Sequence, residues 1–156
     1  MGCVMRKFLS LGLVVATLAA CAPNAPQNGP DQDGRLSLRQ SSEIGRVGTY
    51  LAIARADAGL TIPLRHSPKL QGVAAARAVD LASGGLAPLS DRIAQAGYSA
   101  CFSAEAVARD AADLRTGVDQ MLADPAARAA ILSASPSEFG FLRNGAEQIL
   151  ILARPC

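Results

Sequence analysis

The sequence predicts an α+β domain, with helices packed on a small antiparallel sheet. Three observations lead there. Apolar residues recur at helical spacing through several segments between residues 42 and 132. The stretches Glu138 to Arg143 and Glu147 to Arg154 flank Asn144-Gly145, a type I′ hairpin signal. Within the second stretch, Ile149-Leu150-Ile151-Leu152 has no apolar-polar alternation, as expected of a strand buried on both faces.

The elements follow in order. Ser42 is placed to cap a first helix, with Glu43 in its first turn where the helix dipole favours a negative charge. Ile44, Val47, Leu51 and Ala54 share its apolar face, and Gly59 ends it. Ser67-Pro68 starts a second helix, because Pro suits the first helical position. Leu70, Val73, Ala74 and Leu81 line one face of it, and Gly84-Gly85 stops it. A short helix spans Asp91 to Ala96, before Gly97, and the chain from Tyr98 to Val107 begins extended. Leu114, Val118, Met121 and Leu122 mark a further helix. Asp124-Pro125 opens a last short one that ends near Leu132.

The N-terminus is of a different kind. Arg6 and Lys7 precede thirteen apolar or small residues, Phe8 to Ala20. A spanning helix needs about twenty such residues, so the segment fits a secretory signal instead. It ends Leu18-Ala19-Ala20-Cys21, which resembles the bacterial lipobox. That resemblance implies lipidation of Cys21 and cleavage before it. The expected organisation is a signal peptide over 1–20, a lipidated Cys and flexible linker over 21–41, and one domain over 42–156. The linker is rich in Pro, Asn, Gln, Gly and Asp, and cannot bury enough surface to offset its ordering entropy. It would reach roughly 25 Å. Acyl chains then hold the domain at a membrane. Ala22 rather than Asp after the Cys leans toward the outer membrane, facing the periplasm.

Composition excludes some partners. Half of the residues are hydrophobic, 4% are aromatic and none is Trp. Without Arg6 and Lys7 the chain carries thirteen basic and thirteen acidic residues, with no basic stripe. A nucleic-acid partner is therefore not expected.

The domain resembles bacterial members of the CAP superfamily (cysteine-rich secretory proteins, antigen 5, pathogenesis-related 1; SCP-like). Several pieces carry the resemblance in shared order. Arg55, Gly59-Leu60 and Pro63-Leu64 match the first helix and its exit. Leu70, Ala74, Ala78 and Asp80-Leu81-Ala82 match the second helix. Arg92-Ile93 with Ala96-Gly97-Tyr98 follows. Glu105-Ala106-Val107-Ala108 stands where the family has Glu-Asn-Val-Ala. Asp124 to Leu132 stands where it has Ser-Pro-x-His-Arg-x-Asn-Ile-Leu, and Glu138-Phe139-Gly140 precedes the closing strand. The fold this implies is a three-layer α-β-α sandwich around a small antiparallel sheet.

The chain departs from the family at the cleft, where many members carry two His and one or two acidic residues that in some bind a divalent metal. Here Ala127 stands at the second His position, and Leu86-Ala87-Pro88-Leu89 offers no first His. Ala106 replaces Asn, and Met121 the usual Trp. The single His, His66, lies outside the motif and reads as a surface loop residue. One imidazole makes neither a His-based zinc site nor a triad, so no metal, cofactor or catalytic residue is expected. Glu105 is the cleft remnant: either a leftover ligand or acceptor, or a structural carboxylate paired with Arg128 or with backbone amides. Cys101 and Cys156 remain as an even pair in an exported domain, the usual setting for a disulfide, with a reactive or metal-binding thiol as the alternative.

The expected function is a non-enzymatic cell-envelope lipoprotein, its degenerate CAP-like domain binding an apolar small molecule, a peptide or a protein partner. The alternatives are an envelope-directed hydrolase or metal-dependent enzyme using Glu105, and a purely structural lipoprotein.

Overall fold

The computed structural model of the chain describes residues 36–85 and 87–156. The signal segment, Cys21 and most of the linker lie outside the described residues. Five helices and four strands follow in the order α1 (Leu38–Asp57), β1 (Arg65–His66), α2 (Pro68–Ser83), α3 (Leu89–Gln95), β2 (Ala100–Ala108), α4 (Leu114–Ala123), α5 (Pro125–Ile131), β3 (Glu138–Asn144) and β4 (Glu147–Pro155). The four strands form one sheet in the order β1-β3-β4-β2.

The unalternating run in β4 explains the layering. β4 is antiparallel to β3 on one side and to β2 on the other. Leu150 and Leu152 point to one face, where they join Ile44, Val47 and Leu51 of α1, Leu114, Val118 and Met121 of α4, and Ile131 of α5. Ile149 and Ile151 point to the other face, where they meet Leu70, Val73 and Ala74 of α2 and Ile93 of α3. All four side chains are fully buried. Each contributes roughly 1.5–3 kcal/mol of apolar burial, so the strand itself holds the two helical layers together. The result is the α-β-α sandwich that the resemblance implied.

The sheet differs from expectation in one respect. It is mixed, because β1 pairs parallel to β3 through Arg65–Glu138 and His66–Phe139. His66 therefore sits on a strand rather than in a surface loop. It is half-buried, its ring edge-on to Phe139 with centroids 5.8 Å apart. Beyond these two residues the edge of β3 has no strand partner among the described residues. The side chain of Gln71 on α2 takes over, its Oε1 accepting from the Phe141 amide (3.1 Å).

That contact requires α2 to lie very close to β3, and Gly140 is what permits it. A Cβ on Gly140 would stand 2.1–2.4 Å from backbone atoms of Leu70 and Gln71. On the opposite face, Gly117 of α4 makes room for the buried Gln148, whose Nε2 donates to the Asp113 carbonyl (2.7 Å).

Local signals set most helix ends. Asp113 and Asp124 cap α4 and α5, accepting from the amides of Thr116 (2.8 Å) and Ala127 (2.7 Å). α1 begins earlier than expected. Ser37, not Ser42, is its cap, accepting from the Gln40 amide (3.2 Å), while Ser41 and Ser42 lie exposed within the helix. Ordered structure thus reaches into the stretch read as linker. The buried face of α1 also ends on Arg55 rather than Ala54. Arg55 is 2% exposed, and its Nη1 donates to the carbonyls of Ile131 (2.6 Å) and Ser133 (2.8 Å), closing the end of α5. The hairpin turn is Gly145-Ala146, one residue later than expected. Only Gly145 has a positive φ (63°), the sign pattern of a type II′ rather than a type I′ turn.

A disulfide joins Cys101 at the start of β2 to Cys156 just after β4. It spans 55 positions, and closing a loop of that length restricts the unfolded chain by about 4 kcal/mol in the chain-entropy model. A Cys101→Ser, Cys156→Ser double variant is expected to lose that order of stability in urea denaturation. A Gly140→Ala variant is expected to lose about 3 kcal/mol or more, because the clash is with backbone that cannot turn aside.

Candidate functional site

The cleft remnant Glu105 lies at the middle of β2, opposite Ile151 of β4, and so on the α2 face of the sheet. Its partner comes from α2. Arg77 donates from Nε to Oε1 (2.9 Å) and from Nη2 to Oε2 (2.7 Å), a two-pronged pair that engages both carboxylate oxygens. Arg77 also donates from Nη1 to the Ala87 carbonyl (2.7 Å), tying down the loop where the family's first His would be sought.

The network extends outward. Asp80, one turn along α2, lies 3.5 Å from Arg77 Nη1. Arg92 of α3 donates to both Asp80 oxygens, from Nε at 2.8 Å and from Nη2. The four charges alternate in sign as Arg92, Asp80, Arg77 and Glu105. Arg77 and Asp80 are nearly buried, at 6% and 5% exposure. Hydrogen bonding to Glu105 raises the Arg77 pKa from its ordinary value. Hydrogen bonding from Arg92 holds the Asp80 carboxyl below the usual range.

This corrects the expected pairing of Glu105 with Arg128. Arg128 is exposed on α5, whose buried residues join the other core cluster. Ala127, at the second His position, is buried in that same cluster. Ala106 and Met121, at the family's Asn and Trp positions, are buried there too. The residue at the second His position of the resembled motif is thus core, while Glu105 faces the opposite layer. Among the described residues no three His, Cys, Asp or Glu side chains are grouped to hold a metal ion.

Sequence reasoning missed Arg77, although a signal was there. Position 77 follows Leu70 by seven and Val73 by four, so it falls on the buried face of α2. A charge on an apolar stripe must find a partner, and the retained Glu105 was the available acid. What spacing does not give is that β2 lies beneath α2.

A second polar cluster joins the ends of β1, α2 and β3. Tyr98 donates to Glu138 Oε2 (3.0 Å), and Arg65 reaches Glu138 Oε1 (2.9 Å). Burial first, and then the bond to Glu138, push the Tyr98 hydroxyl up to about 12. Lys69 donates to the Gly97 carbonyl (2.6 Å), beside an open groove that also includes Cys156.

The geometry makes the Arg77–Glu105 pair a structural requirement. Glu105→Gln would remove the closer of the two carboxylates that face the nearly buried Arg77 guanidinium and leave it only Asp80, which Arg92 shares; it is expected to cost about 2 kcal/mol in chemical denaturation. Asp80 sets a pH dependence. Its depressed pKa means that its ion pairs stabilise the fold fully above about pH 4, the ordinary Asp value, and that this stabilisation is lost as pH falls through the lower folded value. Asp80→Asn is expected to flatten the acid limb of a stability-versus-pH curve measured by thermal melts.

No family model matches this sequence, and no curated protein matches it. Solved structures do resemble it. A cysteine-rich secretory protein from Staphylococcus aureus aligns over 75% of this chain with a TM-score of 0.66 and 16% identity. An extracellular protein containing an SCP domain, from Bacillus anthracis, aligns over 74% with a TM-score of 0.65 and 15% identity. The alignments cover only 40% and 42% of those two longer chains. An outer surface protein from Borrelia burgdorferi aligns over 74% of this chain and 94% of its own, with a TM-score of 0.64 and 16% identity. At these identities the likeness is one of architecture, and it matches the layers and strands described above: this chain has the fold of the SCP domain of the CAP superfamily.

Proposed function

We propose that this chain is a non-enzymatic lipoprotein of the cell envelope, held to a membrane through a lipid on Cys21, whose CAP-like domain binds an apolar small molecule, a peptide or a protein partner. The observation that carries the reading is the bidentate engagement of Glu105 by Arg77. The guanidinium engages both oxygens of Glu105 and favours its charged form, so this carboxylate is already committed to a cation and is a poor base for proton transfer. The burial of Ala127 in the apolar core supports the same reading. Export is supported by the signal-like segment from Arg6 to Ala20 and by the Cys101–Cys156 disulfide, which persists in oxidising compartments. No helix among the described residues is long and apolar enough to cross a membrane. The SCP-fold neighbours include a secretory, an extracellular and an outer surface protein. The absence of Asp after Cys21 favours the outer membrane, facing the periplasm.

Two measurements test this. Titration of the purified chain with zinc and calcium by calorimetry is expected to give no saturable uptake. Stoichiometric binding that Glu105→Gln abolishes would make Glu105 a metal ligand and favour the enzymatic alternative. Palmitate labelling in cells is expected to mark the wild-type chain and not Cys21→Ser, which should also leave the membrane fraction. Equal labelling of both would remove the anchor from the proposal.

A further inference from the structure

Arg55 does more than close α5. It lines a surface cavity of about 280 Å³ between the loop that leaves α1 and the segment that enters β3. Leu60, Ile62 and Pro136 form apolar walls, and Ile62 stands 73% exposed although it is a large aliphatic residue. Arg154, an exposed residue of β4, lies on the same cavity.

The charge around this cavity is one-sided. Among the described residues that line it, the two ionisable ones, Arg55 and Arg154, are cationic, and none is a carboxylate. Arg55 meets only carbonyl oxygens: those of Ile131 and Ser133, and at 3.4 Å that of Ile62. Its Nε–H, nearly inaccessible, has no protein acceptor. Burial lowers its pKa, with no counter-charge to oppose the shift. A nearly buried cation is normally compensated by an anion. The guanidinium here is satisfied in part by the end of α5 and remains uncompensated in charge. In contrast, nearly buried Arg77 has Glu105.

We propose that this cavity binds a small carboxylate with a short aliphatic body, its head group drawn by Arg55 and Arg154 and its chain laid against Leu60, Ile62 and Pro136. The volume lies at the lower end of small-molecule sites, roughly 300 Å³ upward, which limits the ligand to a medium-length chain. The exposed Arg154 guanidinium matches carboxylate geometry, Arg55 adds its uncompensated charge from the cavity wall, and the apolar walls select for a tail. The inference rests on the reading of the domain as a binding module, and it names the site and the class of ligand.

Octanoate is the probe. The full chain carrying Cys21→Ser, so that no acyl chain of its own competes, is titrated and followed by amide chemical shifts. Saturable one-to-one binding is expected, with shifts concentrated in residues 59–62 and 134–137. Octanol, with the same tail and no charge, is expected to bind at least about tenfold more weakly. Arg154→Gln and Ile62→Asp change exposed residues and should leave the fold intact. Each is expected to weaken octanoate binding by about fivefold or more. The proposal is overturned if octanoate does not saturate, if its shifts map elsewhere, if octanol binds as well, or if both variants bind like the parent chain. Those results leave the non-enzymatic reading standing, because that reading fails only through metal binding at Glu105.

Discussion

Everything in this domain is arranged around a strand that has no polar face. β4 buries Ile149 and Ile151 on one side and Leu150 and Leu152 on the other, so it must be covered by helices both above and below. Its backbone must also be paired along both edges, which β3 and β2 do. Three layers follow from that requirement alone. The close approach of α2 at Gly140 and the entry of Gln148 beside Gly117 then bring each helical layer down onto the sheet.

Such a core leaves little tolerance for charge, and the charged groups near it are placed where partners meet them. Arg77 and Asp80 project from the buried face of α2 toward Glu105 and Arg92, and the four form an alternating chain. Arg55 ends α1 against the carbonyls at the end of α5. The first arrangement is balanced in charge and links α2, α3 and β2. The second is met by carbonyl oxygens at Nη1 and Nη2 but by no acceptor at Nε and no opposite charge, and it borders an open cavity. This asymmetry separates a side chain that holds the fold together from one that also has something left to offer a ligand.

Ala127, which stands at the second His position of the motif this sequence resembles, lies in the apolar core, as do Ala106 and Met121. Glu105 is held in an ion pair by Arg77 of the α2 layer. The small apolar side chains of Ala106 and Ala127 carry no polar group to desolvate in the core, and the pair with Arg77 compensates Glu105. The framework persists because its stability comes from β4 and the layers over it, not from the cleft.

By itself, the sequence determined the elements and their faces. Helical spacing in Ile44, Val47 and Leu51, the Pro68 and Pro125 starts, and the doubly buried run at 149–152 are local patterns, and each appears in the structure as read. Helix ends were less legible: Ser37 and Ser42 are equally good caps in isolation, and the helix starts at the earlier one, with Gln40 buried in the added turn. The hairpin register moved by one residue because the pairing of β3 with β4, not the Asn-Gly dipeptide, sets it. The tertiary structure alone decided the partners. Arg77 rather than Arg128 meets Glu105, and His66 enters a strand, because these contacts join residues from 28 to 73 positions apart. Residue type and spacing show that a buried charge needs a partner. Only the stacking of α2 over β2 shows which one it finds.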